Sequence, residues 1–477
     1  MSAMGPEEIL ARHARAAARR RPLEATWQDC YDHALPAPGA APLFDATAAD
    51  AAEQLAASLL AELAPPWSRW FDLAPVRENQ DPAIARSLSA VAETLQAHLD
   101  RSNFALELHQ SFLDLVVAGT GVISIEEAPP GEASALRFRA VPLREAVLEE
   151  GAGGRLDTVF RSLRLTEDEI RARWPDAELP RRRRDASEEP PKLRVVEAAW
   201  ADPRVGHRFA VVLDQEEGAP RLLAEGRFAE DPFVAFRWLK LPGETYGRGP
   251  VAKALPDIRT ANKVVELILK NASIAATGMW QAEDDGVLNP STIRLVPGAI
   301  IPKAAGSAGL TPLAAPGNFD VSQIVLQDLR TRIRGALLAD RIIAAEKAPM
   351  TATEVLERAS AAARLLGATY GRLQAELLTP LIARCLAVLR RRGEVPPVLL
   401  DGRETRLVYA SPLARVQARA DAADTLLFLE AAAKIGGEAT ASLDAGAATR
   451  WLARTLGAPP EILRPIPAVA ATTNPQE

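Results

Sequence analysis

The sequence predicts an α+β chain, helical at both ends, β-rich between, and organised around one very long helix. Apolar residues recur every three or four positions as far as Val117, alternate with polar ones from Val122 to Leu239, and return to the helical period from Val251. Pro- and Gly-containing turns divide the alternating region into short pieces. With 477 residues the chain can hold about two or three cores. Aromatic residues make up only 5%, so aliphatic and Ala-rich helix packing has to carry most of that core.

The first helix is expected over Glu7 to Arg20. A second runs from Asp50 to Leu63, with Leu55, Leu59, Leu60 and Leu63 in register, and stops at Pro65-Pro66. Asp81-Pro82 opens a third, with Asp as N-cap and Pro at the first helical position, carrying Ile84, Leu88, Val91, Leu95 and Leu99. A fourth covers Phe104 to Val117. After Gly119-Thr-Gly121, strands follow at Val122–Ile125, Leu136–Val141, Ala146–Glu149 and Leu156–Leu165, with Gly151-Ala-Gly-Gly154 as a turn. Thr166 and Glu169 have capping-box spacing for a short helix that ends at Trp174-Pro175. Asp176 to Lys192, with Arg181 to Arg184 beside Glu188-Glu189-Pro190-Pro191, reads as a solvated loop. Further strands are expected at Leu193–Ala199, Arg208–Leu213, Arg221–Phe228 and Phe233–Leu239.

From Val251 to Thr277, Ala254, Ile258, Ala261, Val265, Ile268, Leu269 and Ala272 form an apolar stripe, with Lys253, Arg259, Lys263, Glu266 and Lys270 off it. Met279 to Phe319, punctuated by Pro290, Pro297, Pro302, Pro312 and Pro316, is a small β excursion with strands such as Thr292–Val296 and Ala299–Ile301. Asp320 then caps a helix bearing Ile324, Leu326, Leu329, Ile333 and Leu337. Two helices flanking a β tip make a stalk with a head. Such a stalk has too little partner surface in its own chain, so neighbouring copies are its expected cover.

Beyond a short loop near Ala344 comes the long helix, from Thr351 to Arg391, about 60 Å at ~1.5 Å per residue. Val355, Ala359, Ala362, Leu366, Tyr370, Leu373, Leu377, Leu381, Cys385 and Leu389 give it one apolar face. Thr351 and Glu354 form a capping box, Met350 can staple onto Val355, and Pro349 bars helix from upstream. Pro380 removes one helical hydrogen bond and should kink the rod.

Composition and motifs exclude several function classes. The net charge of −6 argues against general nucleic-acid affinity. Cys30 and Cys385 stand far apart, which leaves no disulfide framework or Cys-based zinc site. His13, His33, His98, His109 and His207 have no metal-ligand spacing, and no Gly-rich Lys-Ser/Thr phosphate loop occurs. No cofactor, metal or catalytic residue is expected. Arg19-Arg20-Arg21 has no apolar run behind it and no stretch reaches membrane-spanning length, so a cytosol-like compartment is expected until assembly, with no membrane partner.

Five blocks, in order, resemble a known family: Tyr246-Gly-Arg-Gly-Pro250; Ala254-Leu-Pro-Asp-Ile258 with Asn262; Met350-Thr-Ala-Thr-Glu-Val355; Glu376-Leu-Leu-Thr-Pro-Leu381; and Ser411-Pro-Leu-Ala-Arg415. Their succession is similar to that of the head-to-tail connector (portal) proteins of short-tailed, podovirus-type phages. The front end agrees, through Trp27, Cys30-Tyr31, Leu35-Pro36, Asp45, Pro65-Pro66-Trp67 and Trp70-Phe71-Asp72-Leu73. The likeness runs from Arg20 to Ala420. The region after Ser411 is short and ends in a Pro-rich tail, which departs from an extended helical barrel at the crown of the ring.

The resemblance implies a portal fold and a ring, usually dodecameric, at one capsid vertex, through which double-stranded DNA is packaged and ejected. It divides the chain into a wing (1–245), a stem helix (246–278), a clip (279–318), a second stem helix (319–343), a channel loop (344–350), a spine helix with return to the wing (351–410), a crown (411–464) and a disordered tail (465–477). Ala344, Ala345, Glu346, Lys347, Ala348, Pro349 and Met350 would then form the channel loop, supported by the cap Thr351 and Glu354, with Trp280, Ile293 and Ile301 in the clip. Lys263 and Lys270, two turns apart on one helix face, either line the channel or belong to a solvated or intersubunit salt-bridged face. Implied partners are the terminase large subunit, a tail adaptor protein, and the major capsid and scaffolding or internal core proteins. The implied place is the virion, after assembly in host cytoplasm. Two other readings are another virion ring such as a head-tail adaptor, which lacks the stalk-loop-spine order, and a hydrolase, which needs a convergent acidic pair in the β region.

Overall fold

The computed structural model describes residues 4–66, 68–76, 82–179, 190–215, 218–277, 279–282, 305, 310–313, 319–339, 367, 369–398, 400, 404–410, 412–435 and 442–456. The first helix, α1 (Pro6–Ala34), is longer than its charge pattern suggested, passing through Pro22. The buried face His13, Ala16, Trp27, Cys30, Ala34 continues across the proline, so burial outweighs one lost backbone hydrogen bond. Helices α2 (Thr47–Leu63), α3 (Pro82–Arg101) and α4 (Phe104–Ala118) follow as the apolar periods predicted, with β1 (Phe71–Pro75) between α2 and α3. Asp81, the expected cap of α3, lies outside the described residues.

The middle of the chain builds two antiparallel sheets. Strands β2 (Thr120–Glu127), β3 (Leu136–Ala140) and β9 (Phe233–Arg237) form one, in the order β3-β2-β9. The other is the meander β4 (Ala146–Glu150), β5 (Leu156–Leu165), β6 (Leu193–Asp202), β7 (Gly206–Asp214) and β8 (Arg221–Phe228). Helix α1 covers one face of the meander through Ile9 and Ala16 on Phe160, Val196, Ala198 and Val212. The short helix α5 (Glu167–Arg173) covers the other through Ile170 on Leu163, Val195 and Leu213. With both faces buried, β6 is apolar almost throughout rather than alternating. The predicted capping box of α5 forms, Thr166 accepting from the Glu169 N–H and Glu169 from the Thr166 N–H.

Two long helices leave this body, α6 (Pro250–Thr277) and α7 (Phe319–Ala336). Between them only the strand pair β10 (Met279–Ala282) and β11 (Leu310–Leu313) is described, in antiparallel register from Met279 opposite Leu313 to Ala282 opposite Leu310. Trp280 falls on β10; the strands expected at Thr292–Val296 and Ala299–Ile301, with Ile293 and Ile301, lie outside the described residues.

The predicted long helix is described from its second half. Residues 369–373 are helical and enter a π turn, Gln374–Leu378, which continues into α8 (Thr379–Arg391). Pro380 is therefore met by a change of helical winding rather than by a bare break. The proline cannot donate to the carbonyl four residues earlier, and the π turn shifts the neighbouring bond by one residue, Thr379 N–H to Gln374 O. The Thr379 hydroxyl also donates to Gln374 O (2.9 Å) and contacts the Tyr409 hydroxyl (2.7 Å). Tyr409 ends β12 (Thr405–Tyr409), which pairs with β1, an arrangement no local pattern predicted because the partners lie more than 300 residues apart. Helices α9 (Pro412–Ile435) and α10 (Ala445–Leu456) close the described chain. A single core cluster joins α2, α3, α4, β1, α6, α7 and α8, and Trp70 and Phe71 are buried in it.

Where α6 leaves the body, two glycines cross a third. Gly119 takes a left-handed φ of 84° after α4, and Gly247 and Gly249 pass directly over it. A Cβ on Gly249 would stand 2.6 Å from the Val116 carbonyl oxygen and 2.8 Å from the Gly119 nitrogen. Gly249→Ala should therefore destabilise the protein by about 2–4 kcal/mol in urea unfolding, because backbone has to move. Gly371→Ala, in helix with open space around it, should be neutral or stabilising by about 0.5–1 kcal/mol.

Candidate channel stem and its anchorage

The block Tyr246-Gly-Arg-Gly-Pro250 is the root of α6. Tyr246 is buried edge-on against Trp27, with ring centroids 5.1 Å apart, and its hydroxyl accepts from the Leu148 N–H at 2.9 Å. The Gly247 N–H donates to Thr120 Oγ1 (2.9 Å) and the Arg248 N–H to Leu239 O (2.8 Å). The missing N–H of Pro250 costs nothing at a helix start. The tyrosine and the two glycines are thus each required by their neighbours, and the proline is accepted at the helix start.

A clasp ties α6 and α7 to the body. Asn262 Oδ1 accepts from the Phe44 N–H (2.7 Å) and the Asp45 N–H (3.1 Å). Asp45, itself buried, accepts from the Thr47 N–H (3.0 Å) and from both Nε and Nη2 of Arg330 on α7 (2.8 Å each). Burial pushes the Asp45 carboxyl up, but the Thr47 donors and the Arg330 guanidinium outweigh it and hold the group below its ordinary value. Arg332 pairs with Asp257 at 2.9 Å across the two helices, and Arg259 pairs with Asp29 of α1. Asp45 and Asn262, both singled out by the sequence, belong to one structure.

Further along α6 and α7 large apolar side chains come to the surface. Leu267 is 48% exposed, Leu269 52% and Ile324 71%, while Val251, Ile258, Leu329 and Ile333 nearer the body are buried. Lys263 and Lys270 are exposed and share one partner, Glu266, at 2.9 and 2.6 Å. The three residues leave one net positive charge on this stretch.

The anchor of the other long helix is a buried arginine that the sequence reading missed. Arg237, at the end of β9, has no exposed surface. Its Nε and Nη2 donate to the two oxygens of Glu376 in the π turn (3.1 and 2.7 Å), and its backbone N–H reaches the same carboxylate (3.0 Å). The other donors go to Glu150 Oε2 (3.1 Å), Thr245 O (3.1 Å) and Gly154 O (2.9 Å). The available signal was an arginine closing the apolar strand Phe-Val-Ala-Phe and a glutamate inside the apolar run ahead of Pro380.

A polar cavity of about 300 Å³ lies beside this anchor, lined among others by Arg155, Asp157, His207, Asp231, Glu376 and Pro380. Asp231 accepts from the Phe233 N–H (2.9 Å), and its other oxygen stands 3.8 Å from His207 Nε2. Burial lifts the Asp231 carboxyl to about 7, against the opposing pull of the Phe233 N–H and Arg384. The remaining histidines of note are structural: His98 sits between Glu394 (2.6 Å) and the Ala135 N–H, and His13 against Ser162 (3.0 Å). Among the described residues no group of His, Cys, Asp and Glu could hold a metal ion, and no helix is long and apolar enough to cross a membrane. Both cysteines are buried and free. The expected loop Ala344, Ala345, Glu346, Lys347, Ala348, Pro349, Met350 and its cap Thr351 and Glu354 lie outside the described residues.

A mixed helix-and-sheet body that sends out a pair of helices with large half-exposed apolar side chains has the form of a part that packs against other chains in an assembly. The sequence profile of the family described as bacteriophage head to tail connecting protein matches residues 6–463, and the chain belongs to that family, whose members are connectors rather than enzymes. Relatives include the portal protein of Enterobacteria phage T3, 22% identical over 66% of this chain and 58% of its own length, so this chain spans little more than half of that relative. The probable portal protein of Bordetella phage BPP-1 is 24% identical, over 89% of this chain and 80% of its own. The portal protein of Salmonella phage epsilon15 is 22% identical over the same shares, 89% and 80%. Among solved structures, a chain from the neck of a native gene transfer agent particle aligns with 90% of this chain and 92% of its own at 12% identity, with a TM-score of 0.40.

Asp231 gives the site a pH signature. Its folded value lies above the unfolded one, so the folded state holds a proton that unfolding releases, and its contribution to stability falls as pH rises from about 4 to about 7. Asp231→Asn keeps the acceptor for Phe233 without the charge. Relative to the parent, the variant should gain about 2 kcal/mol of stability between pH 5 and pH 8, read from urea melts at the two values.

Proposed function

We propose that this chain is a phage portal protein: copies of it close into a ring, twelve in the usual case, whose bore carries double-stranded DNA into the capsid during packaging and out on ejection. The observation that carries this reading is the pair α6 and α7, rooted in the body by glycine contacts and the Asp45 clasp while Leu267, Leu269 and Ile324 stay about half exposed or more. Apolar side chains repeated at one height on a projecting pair of helices fit burial by neighbouring copies. Family membership supports the same reading.

In this reading residues 1–245 are the wing, 246–278 and 319–343 the stem, 279–318 the clip, 344–350 the channel loop, 351–410 the spine and its return to the wing, 411–464 the crown, and 465–477 a tail. The clip meets the terminase large subunit and later a tail adaptor; the wing and crown meet capsid and scaffolding or internal core proteins. The ring resides in the virion at the portal vertex and is assembled in host cytoplasm.

Electrostatics supports a channel that slides DNA rather than grips it. In a ring each charge is multiplied by the number of subunits. Lys263 and Lys270, placed on the channel side, are half offset by Glu266 in every copy, and Lys347 is offset by Glu346 next to it in the chain. Each additional neutralised phosphate would add a salt-dependent binding contribution and slow translocation.

Electron micrographs of the purified protein should show rings with a central hole; a stable monomer at high concentration would overturn the assignment. Lys347→Glu should leave the rings intact and lower DNA packaging or retention. Particles filled with genome at the parental level would refute the role given to the loop.

A further inference from the structure

Arg237 joins groups from around residues 150, 245 and 376. Its five side-chain N–H donors are all committed: to Glu376 in the π turn, to Glu150 at the end of β4, to Gly154 O in the turn after it, and to Thr245 O at the root of α6. A guanidinium is a rigid planar fork, and this one has no contact with solvent. Separating any one acceptor leaves a charged donor unpaired in a low-dielectric site, so these segments move together while the fork is filled.

Both carboxylates, however, have a second and more exposed cation. Arg372, one turn upstream and 30% exposed, donates to Glu376 Oε1 at 3.2 Å. Lys240 pairs with Glu150. Glu376 can therefore leave Arg237 without losing its charge partner, and Arg237 keeps Glu150 and two carbonyls when it does. Glu376 also borders the 300 Å³ polar cavity, so water has room to reach the donors it vacates. Gln374 O, held by the Thr379 N–H and hydroxyl, keeps the π turn wound in either case.

We propose that Arg237, Glu376 and Arg372 form a two-position latch between the root of α6 and the helix that enters the π turn: engaged, Glu376 sits on Arg237 and the two elements move as one; released, Glu376 stays with Arg372 and they move separately. What the latch does for a channel rests on the connector reading, joining stem to spine. The latch itself does not depend on it.

Hydrogen exchange on the isolated full-length protein tests this, reading backbone amides of residues 369–378 and of 245–252 together. Glu376→Gln, which weakens the engaged position, should speed exchange about tenfold in both segments, and Arg237→Lys, which keeps the charge but loses the fork, should do the same. Arg372→Ala removes the partner of the released position from an exposed site and should slow exchange about threefold in both. This variant is expected to fold whatever happens to the buried substitutions, and a merely structural ion pair would not be tightened by it. A change confined to one segment, or no change in either, overturns the latch. Because exchange is read whether or not rings form, uncoupled segments in intact rings would refute the latch alone, and absent rings would refute the connector reading alone.

Discussion

An arginine with no exposed surface holds this molecule's separate parts in register. Arg237 ends a strand, yet its partners come from a β turn, from the start of a long outgoing helix and from the middle of another. Charges are expensive to bury unless every donor is met, and here every donor is. The consequence is geometric more than energetic: a planar fork with five fixed directions accepts few arrangements of its neighbours. The π turn follows from the same constraint. It reconciles Pro380 with a helix that must present Glu376 to the fork and Leu377, Leu381 and Cys385 to the core.

The body is finished and the projecting parts are not. The meander sheet is covered on both faces, and the edge of the smaller sheet is closed by side chains: Asn103 exchanges hydrogen bonds with both backbone groups of Phe138, and Glu107 takes the Ala140 N–H. Such plugging removes a site for unwanted strand pairing. On α6, α7 and α9, by contrast, large apolar side chains remain outside, Phe428 and Ile435 among them. A chain that closes its sheet edge this carefully and leaves its helices bare is shaped for helix-mediated contact with other chains.

Much of the fold was legible in the sequence because the signals involved are local. The capping box at Thr166, the stop at Pro65-Pro66, the glycine-bounded turn at Gly151–Gly154 and the apolar stripes of α2, α3, α4, α6 and α7 each depend on residues within a turn or two of one another. The ordered motifs, too, were read correctly as a set belonging to head-to-tail connectors, and the structure supplies the reason for two of them. Tyr246-Gly-Arg-Gly-Pro250 crosses Gly119, and Asn262 holds Asp45. What local signals missed were features whose cause lies elsewhere in the chain. Helix α1 was expected only as far as Arg20, because nothing nearby announces the elements against which it continues to Ala34.

The sequence by itself determined most of the helices, the strands of the two larger sheets and the class of protein, since hydrophobic period, capping and turn chemistry are properties of neighbouring residues. Only the tertiary structure decided which charges meet. Arg237 and Glu376 lie 139 residues apart, and β1 pairs with β12 across most of the chain. In a sequence, a buried ion pair and an exposed charge look the same. They differ only in whether folding removes water from around them, and that depends on every element packed nearby.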